Sequence, residues 1–151
     1  MAVWKTAGPG AKAIFNKYHE AIPGVRALLQ QASSIARARG YAQTAMGRRI
    51  RFPGGKAVHK AAGLVFQGTS ADCMKLKMVE IFKRCKETGV RMLLSIHDEL
   101  DFSIPKSKKK SVGGEIKQRL ETFDGKECEI ECRVPIRTSL SYGVNWWEAC
   151  K

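Results

Sequence analysis

The segment Ile96-His97-Asp98-Glu99-Leu100 sets two adjacent carboxylates beside an imidazole. Apolar runs flank it, Met92-Leu93-Leu94-Ser95-Ile96 before and Leu100, Phe102 and Ile104 after, so the polar residues are expected at the tip of a tight hairpin. A hairpin tip exposes its side chains, and burying both charges unpaired would be very costly. Hard oxygen ligands on a rigid element suit Mg²⁺, which takes a few carboxylates plus substrate phosphates. The same residues equally suit a polar turn in which a carboxylate caps local backbone. Cys128 and Cys132, in ECEIEC, are a weaker candidate pair. Their alternation with Glu reads as a strand with small apolar residues on one face, and no second pair completes the four ligands of a zinc site.

The elements that must hold the hairpin are legible on either side of it. Residues 10–39 read as helix interrupted once, with Ala13, Ile14, Tyr18, Val25, Leu28, Leu29, Ala32 and Ala36 on the apolar face, Pro23 starting the second segment and Gly40 stopping it. Tyr41–Thr44 and Arg48–Phe52 flank Ala45-Met46-Gly47 as a second hairpin, with glycine in the turn. A long helix is predicted from about Lys56 to Thr88, its stripe being Val58, Ala62, Val65, Phe66, Cys73, Leu76, Val79 and Phe82, with Gly89 closing it. Gly63 and Gly68 are poor helix residues, so another group is expected close to the backbone there. Met92–Ile96 reads as a strand of buried type. Lys106–Lys110 is a solvated basic run, Val112–Phe123 a polar helix, Cys128–Leu140 one or two strands, and Gly143–Lys151 an aromatic tail.

At 151 residues the chain is sized for a single domain, 1–151, with a real core. No stretch is apolar enough for a membrane span and the first residues lack a secretory signal, so a soluble, cytoplasmic chain is expected. Five scattered cysteines, an odd number, read as reduced thiols rather than a disulfide framework. The net charge of +13 is uneven: residues 1–71 hold 11 basic side chains and one acid, Glu20. A surface so charged repels itself unless a polyanion covers it, which points to nucleic acid ahead of an acidic protein or a merely soluble face.

The order of these motifs resembles the C-terminal part of a family A DNA polymerase, the bacterial DNA polymerase I group and its phage relatives. Tyr18-His19-Glu20-Ala21-Ile22-Pro23-Gly24-Val25 looks like the segment after the fingers helix. Gly40-Tyr41-Ala42-Gln43-Thr44-Ala45-Met46-Gly47-Arg48-Arg49 is similar to the family's Gly-Tyr-x-x-Thr-x-x-Gly-Arg-Arg hairpin. His59-Lys60-Ala61-Ala62 through Gln67-Gly68-Thr69-Ser70-Ala71-Asp72 resembles the long palm helix, and His97-Asp98-Glu99-Leu100 matches motif C. Val134-Pro135-Ile136 and Gly143-Val144-Asn145-Trp146 resemble the closing strand and terminus. The resemblance covers the chain from about Ala11 onward. It implies an α+β palm portion, with an antiparallel motif C hairpin backed by helices.

What the resemblance implies for single residues follows the matched positions. Asp98 would ligate a catalytic Mg²⁺ pair and Glu99 would assist as the neighbouring carboxylate, in two-metal phosphoryl transfer. His97 and Gln67 would lie against the primer terminus and minor groove, where an amide can meet the acceptors that every base pair offers. Arg48, Arg49, His59 and Lys60 would sit near phosphates. The family's usual Asn four residues before this glutamine is Gly63 here. The other catalytic aspartate belongs to the upstream motif A, yet the four aspartates are Asp72, Asp98, Asp101 and Asp124. The fingers helix that grips the incoming nucleotide is not in the sequence either. The expectation is therefore one piece of a split DNA-directed DNA polymerase, working on primer-template DNA and dNTP with a second polypeptide that carries motif A, fingers and thumb. The alternatives are a non-catalytic DNA-binding module and a decayed polymerase fragment; a stand-alone nuclease lacks a third ligand.

Overall fold

The computed structural model describes residues 9–123 and 134–149, which group into two compact units divided after Gly68. In the first unit, α1 (Pro9–Ala21) and α2 (Pro23–Arg39) are separated at Ile22, whose φ of −132° is not helical. Pro23 starts α2 without needing a helical N–H partner, and Gly40 ends it with a φ of 71°. Strands β1 (Tyr41–Gln43) and β2 (Arg49–Arg51) pair antiparallel, Ala42 opposite Ile50. Their connection tightens beyond the strands: Thr44 N donates to Arg48 O at 2.9 Å and Gly47, at φ 84°, takes the left-handed position of the loop. Ala36, Ala42, Phe52, Val58 and Ala61 form the core of this unit.

Helix α3 (Ala61–Thr88) starts five residues later than the sequence predicts. Ala57 sits at a φ of 58°, a left-handed residue that no α-helix carries through, and a 3-10 turn over Val58–Lys60 leads into the helix instead. Gly89, at φ 74°, closes it, its N–H donating to Cys85 O at 3.0 Å. The predicted stripe fails in part. Phe66, Val79 and Phe82 are exposed, whereas Ile81, Cys85 and even Lys77 and Thr88 are buried. Lys77 is accommodated because its ammonium donates to Glu80 at 2.7 Å and lies 4.7 Å from the Phe123 ring centroid. Ile14, Tyr18, Leu28 and Leu29 on α1 and α2 are likewise exposed, leaving Ala36 as the buried residue of that face.

In the second unit β3 (Arg91–Ile96) and β4 (Glu99–Ser103) form an antiparallel pair, followed by α4 (Lys109–Glu121). Ile81, Cys85, Val90, Val112 and Ile116 make its core, with Met92, Phe102, Ile104 and Leu120 packed against it. Burial raises the Cys85 thiol pKa. Glu115 and Glu80 hold α4 to α3 through Arg84 at 2.7 Å and Arg119 at 3.0 Å. The ammonium of Lys108, in the exposed basic run, donates to Thr88 O at 2.7 Å.

Strand structure is predicted across Cys128–Leu140. Cys128, Cys132 and the rest of that stretch before Val134 lie outside the described residues, as does Cys150. From Val134 to Leu140 the chain is not strand, since no described segment offers it a ladder. It is pinned instead by side chains: Thr138 N donates to Glu121 Oε1 at 2.7 Å and Tyr142 Oη to Lys109 O at 3.1 Å. The short α5 (Trp146–Ala149) is capped by Asn145, whose Oδ1 accepts from Glu148 N at 3.0 Å while the Glu148 carboxylate accepts from Asn145 Nδ2 at 3.2 Å.

Candidate active site and nucleic-acid interface

His97 and Asp98 form the two-residue tip of the β3–β4 hairpin, between the paired residues Ile96 and Glu99. His97 holds a φ of 52°, the positive value that the first residue of a two-residue hairpin turn adopts. His97, Asp98 and Glu99 are all exposed. Beneath them the strands do not run in regular register. Met92 pairs with Phe102 but Leu94 pairs with Asp101, so Leu93 takes a β-bulge. The bulge sends Met92 to the core face and turns Leu94 and Ile96 to the opposite face, where Glu99 and Asp101 also stand.

That changes the reading of β3 as a strand of buried type. Leu93, Leu94 and Ile96 are exposed, Leu94 to 51%. Only one face of the hairpin meets the core, and among the described residues β3 pairs with β4 alone.

Asp101 is the polar residue that sequence reasoning passed over. It is half-buried, and burial followed by the hydrogen bonding and repulsion of Glu99 raises its carboxyl above the ordinary carboxylate range. Its spacing of two from Glu99, on a strand whose apolar residues alternate, was the available signal. Among the described residues, no three His, Cys, Asp or Glu groups converge into a metal cage.

The nucleic-acid candidates other than His97 lie in the first unit. His59 and Lys60 are exposed on the 3-10 turn that leads into α3, and Gln67 is exposed two turns along the helix. The Arg49 guanidinium stacks over the Tyr41 ring with its carbon 4.8 Å from the centroid. Arg48 is engaged differently: its Nη2 donates to the carbonyl of Gly68 at 3.0 Å. Gly68 is closely approached, as its helix-breaking identity predicts; a Cβ there would meet Thr44 Cγ2 at 2.8 Å. Gly63 has no such neighbour within 4 Å among the described residues.

With this geometry in place, comparison with known proteins is decisive for the family. The sequence pattern of DNA polymerase family A matches residues 5–148. The chain belongs to DNA polymerase family A. It is 43% identical over 151 residues to DNA polymerase DpoZ of Salmonella phage PMBT28, covering 98% of this chain and 23% of that protein. It is 35% identical over 148 residues to the thermostable DNA polymerase I of Thermus aquaticus, covering 92% of this chain and 17% of that one. In structure it is similar to the POL domain of Pol1 from M. smegmatis in complex with DNA primer-template and dNTP, with a TM-score of 0.83, 27% identity, and coverage of 99% of this chain and 27% of that chain. The chain thus spans about a quarter of the phage relative's length. Family A polymerases use divalent metal ions, generally Mg²⁺. No described helix is long and apolar enough to cross a membrane.

Proposed function

We propose that this chain is the motif C-bearing palm portion of a DNA-directed DNA polymerase, acting on primer-template DNA and dNTP in the cytoplasm. The observation that carries the reading is the exposed tip His97-Asp98-Glu99, held on a bulged hairpin with one face against a core. Two neighbouring carboxylates offer hard oxygen donors that fit Mg²⁺, an ion held by one or two carboxylates with water and substrate phosphate completing its shell. Asp98 would be the principal ligand and Glu99 the supporting one. Metal ions held there would acidify the primer 3′-hydroxyl and neutralise charge on the phosphates, supporting attack of that oxygen on the α-phosphorus with loss of its proton to solvent and departure of pyrophosphate.

The remaining roles belong to the exposed polar groups. His97 and Gln67 face the primer terminus and minor groove; Arg49, His59 and Lys60 supply phosphate contacts that position DNA without reading its sequence. The counterpart carboxylate of motif A, and the fingers and thumb, come from polypeptide outside these residues, which we take to be a second chain. Support for a protein partner comes from the second face of the hairpin. Leu93, Leu94 and Ile96 are apolar, exposed and next to an edge that no described strand occupies.

The test is primer extension with primed template, dNTPs and Mg²⁺. The chain alone should incorporate nothing. Adding a polypeptide that carries motif A, fingers and thumb should start synthesis, and Asp98→Ala should abolish it. Robust synthesis by the purified chain alone would overturn the incomplete-site reading. Failure to complement, with DNA binding intact, would favour a non-catalytic binding module built on the basic first unit.

A further inference from the structure

Arg48 and Gln67 lie on different elements of the first unit, joined through a single backbone group. Arg48 leaves the β1–β2 loop and donates from Nη2 to the carbonyl of Gly68, the residue immediately after Gln67 on α3. A helical carbonyl has a second lone pair beyond its i+4 bond, so this contact adds to the helix ladder without breaking it.

The loop that carries Arg48 is itself rigid. Thr44 Oγ1 accepts from Arg48 N at 3.1 Å, Thr44 N donates to Arg48 O at 2.9 Å, and Thr44 is buried. Thr44 Cγ2 and Ile50 Cδ1 press on the side of α3 that Gly68 leaves bare; an ideal Cβ at Gly68 would lie 2.8 Å and 3.4 Å from them. Three contacts on one helical residue fix both the rotation and the height of α3 at that turn.

We propose that Arg48 is a positioning residue for Gln67. On this assignment the β1–β2 hairpin sets the angle at which the Gln67 amide meets the minor groove, and Arg48 does not neutralise a phosphate. The inference rests on the reading of Gln67 as a minor-groove donor, and it replaces the expectation that Arg48 sits on the DNA backbone. The reason is local: the bond to the Gly68 carbonyl holds the guanidinium against α3 through a rigid loop. Arg49 instead stacks on the Tyr41 ring.

The test uses the complemented polymerase and two primers, one ending in guanine and one in 3-deazaguanine, which lacks the minor-groove N3 acceptor. The unaltered enzyme should extend the deaza primer more slowly, by about three- to tenfold for one hydrogen bond. Gln67→Ala should erase that difference. Arg48→Ala should erase it too, the Arg48→Ala, Gln67→Ala double variant should be no more affected than either single one, and Arg48→Lys should restore part of it by keeping a donor. Gly68→Ala, whose Cβ would crowd both Thr44 Cγ2 and Arg48 Nη2, should reproduce the effect by displacing the same contact.

The salt dependence of primer-template binding separates the two roles. Arg48→Ala should leave the slope of log K against log salt unchanged. A slope flattened by about one, with the deaza effect intact, makes Arg48 a phosphate ligand and overturns the proposal. If Gln67→Ala leaves the deaza effect in place, the minor-groove reading of Gln67 is wrong and the proposal falls with it. If Gln67→Ala removes the effect and Arg48→Ala does not, only the positioning role fails.

Discussion

Leu94 stands opposite Asp101 across the β3–β4 ladder, and it does so because Leu93 is bulged out of register. A regular strand would have kept Leu94 on the same face as Met92, which packs against the core. The bulge instead gives the hairpin two unlike faces, one apolar and covered, the other carrying Leu94, Ile96, Glu99 and Asp101 together.

The first prediction tests what that second face is for. Leu94→Lys and Ile96→Lys remove exposed apolar surface and should change the melting temperature of the isolated chain little, since surface substitutions usually stay within about 0.5 kcal/mol. On the proposed reading, both should sharply weaken association with a polypeptide carrying motif A, fingers and thumb, measured by titration calorimetry or by the concentration needed for complementation. Unimpaired association would put the partner on another surface.

Asp98 and Glu99 should differ in consequence. On the proposed assignment of Asp98 as principal metal ligand, its loss forfeits several kcal/mol of charge stabilisation, and Asp98→Ala in the complemented enzyme should lower kcat by roughly a thousandfold or more. Glu99→Ala takes away a supporting group and should leave measurable synthesis. Single-turnover extension rates at saturating Mg²⁺ compare the two, and equal losses would erase the distinction.

Local signals are legible in the sequence and long-range ones less so. Gly40, Gly47 and Gly89 each mark a left-handed backbone position, and each ends or turns an element where the sequence placed it. Such residues act through their own φ, without tertiary context. The α3 stripe misled because burial is set by neighbours. Lys77 is buried by Glu80 and Phe123, while Phe82 is 53% exposed with the Lys86 ammonium 5.0 Å from its ring centroid. The motif C tip was legible through its flanking alternation, but nothing local announced the Leu93 bulge or the contact of Arg48 with Gly68. Both depend on which strand or helix arrives opposite.

The α3–α4 ion network should show itself in acid. The Arg84 guanidinium, bonded at 2.7 Å, holds the Glu115 carboxyl below its ordinary value of 4.5; burial opposes this and Arg119 reinforces it. A depressed carboxyl contributes stability above its unfolded pKa and loses it as the pH falls through its folded one. Glu115→Gln should therefore destabilise at pH 7 by about 0.5–1 kcal/mol, the modest scale of part-exposed pairs. The deficit should shrink below pH 4.5 and vanish in stronger acid. Denaturant midpoints across that range provide the check, and a deficit independent of pH would assign the loss to packing.

Gly113 and Gly114 are neighbours in α4 with opposite expectations. Replacing a helical glycine by alanine is worth about 1 kcal/mol where space allows. Among the described residues nothing lies within 4 Å of a Cβ added at Gly114, so Gly114→Ala should raise stability by about that amount. At buried Gly113 the Cβ would overlap Tyr142 Oη, the hydroxyl that donates to Lys109 O at 3.1 Å while the Lys109 ammonium sits 4.5 Å from the same ring's centroid. The Tyr142 ring must therefore leave its notch in Gly113→Ala, and the segment from Val134 to Asn145 loses an anchor. The variant should be cut faster there by a non-specific protease, even where its melting temperature barely moves because helix propensity offsets the lost contacts. Tyr142→Ala should destabilise the parent chain but add almost nothing in the Gly113→Ala background. Additive effects of the two substitutions would mean that Tyr142 keeps its place without the glycine notch.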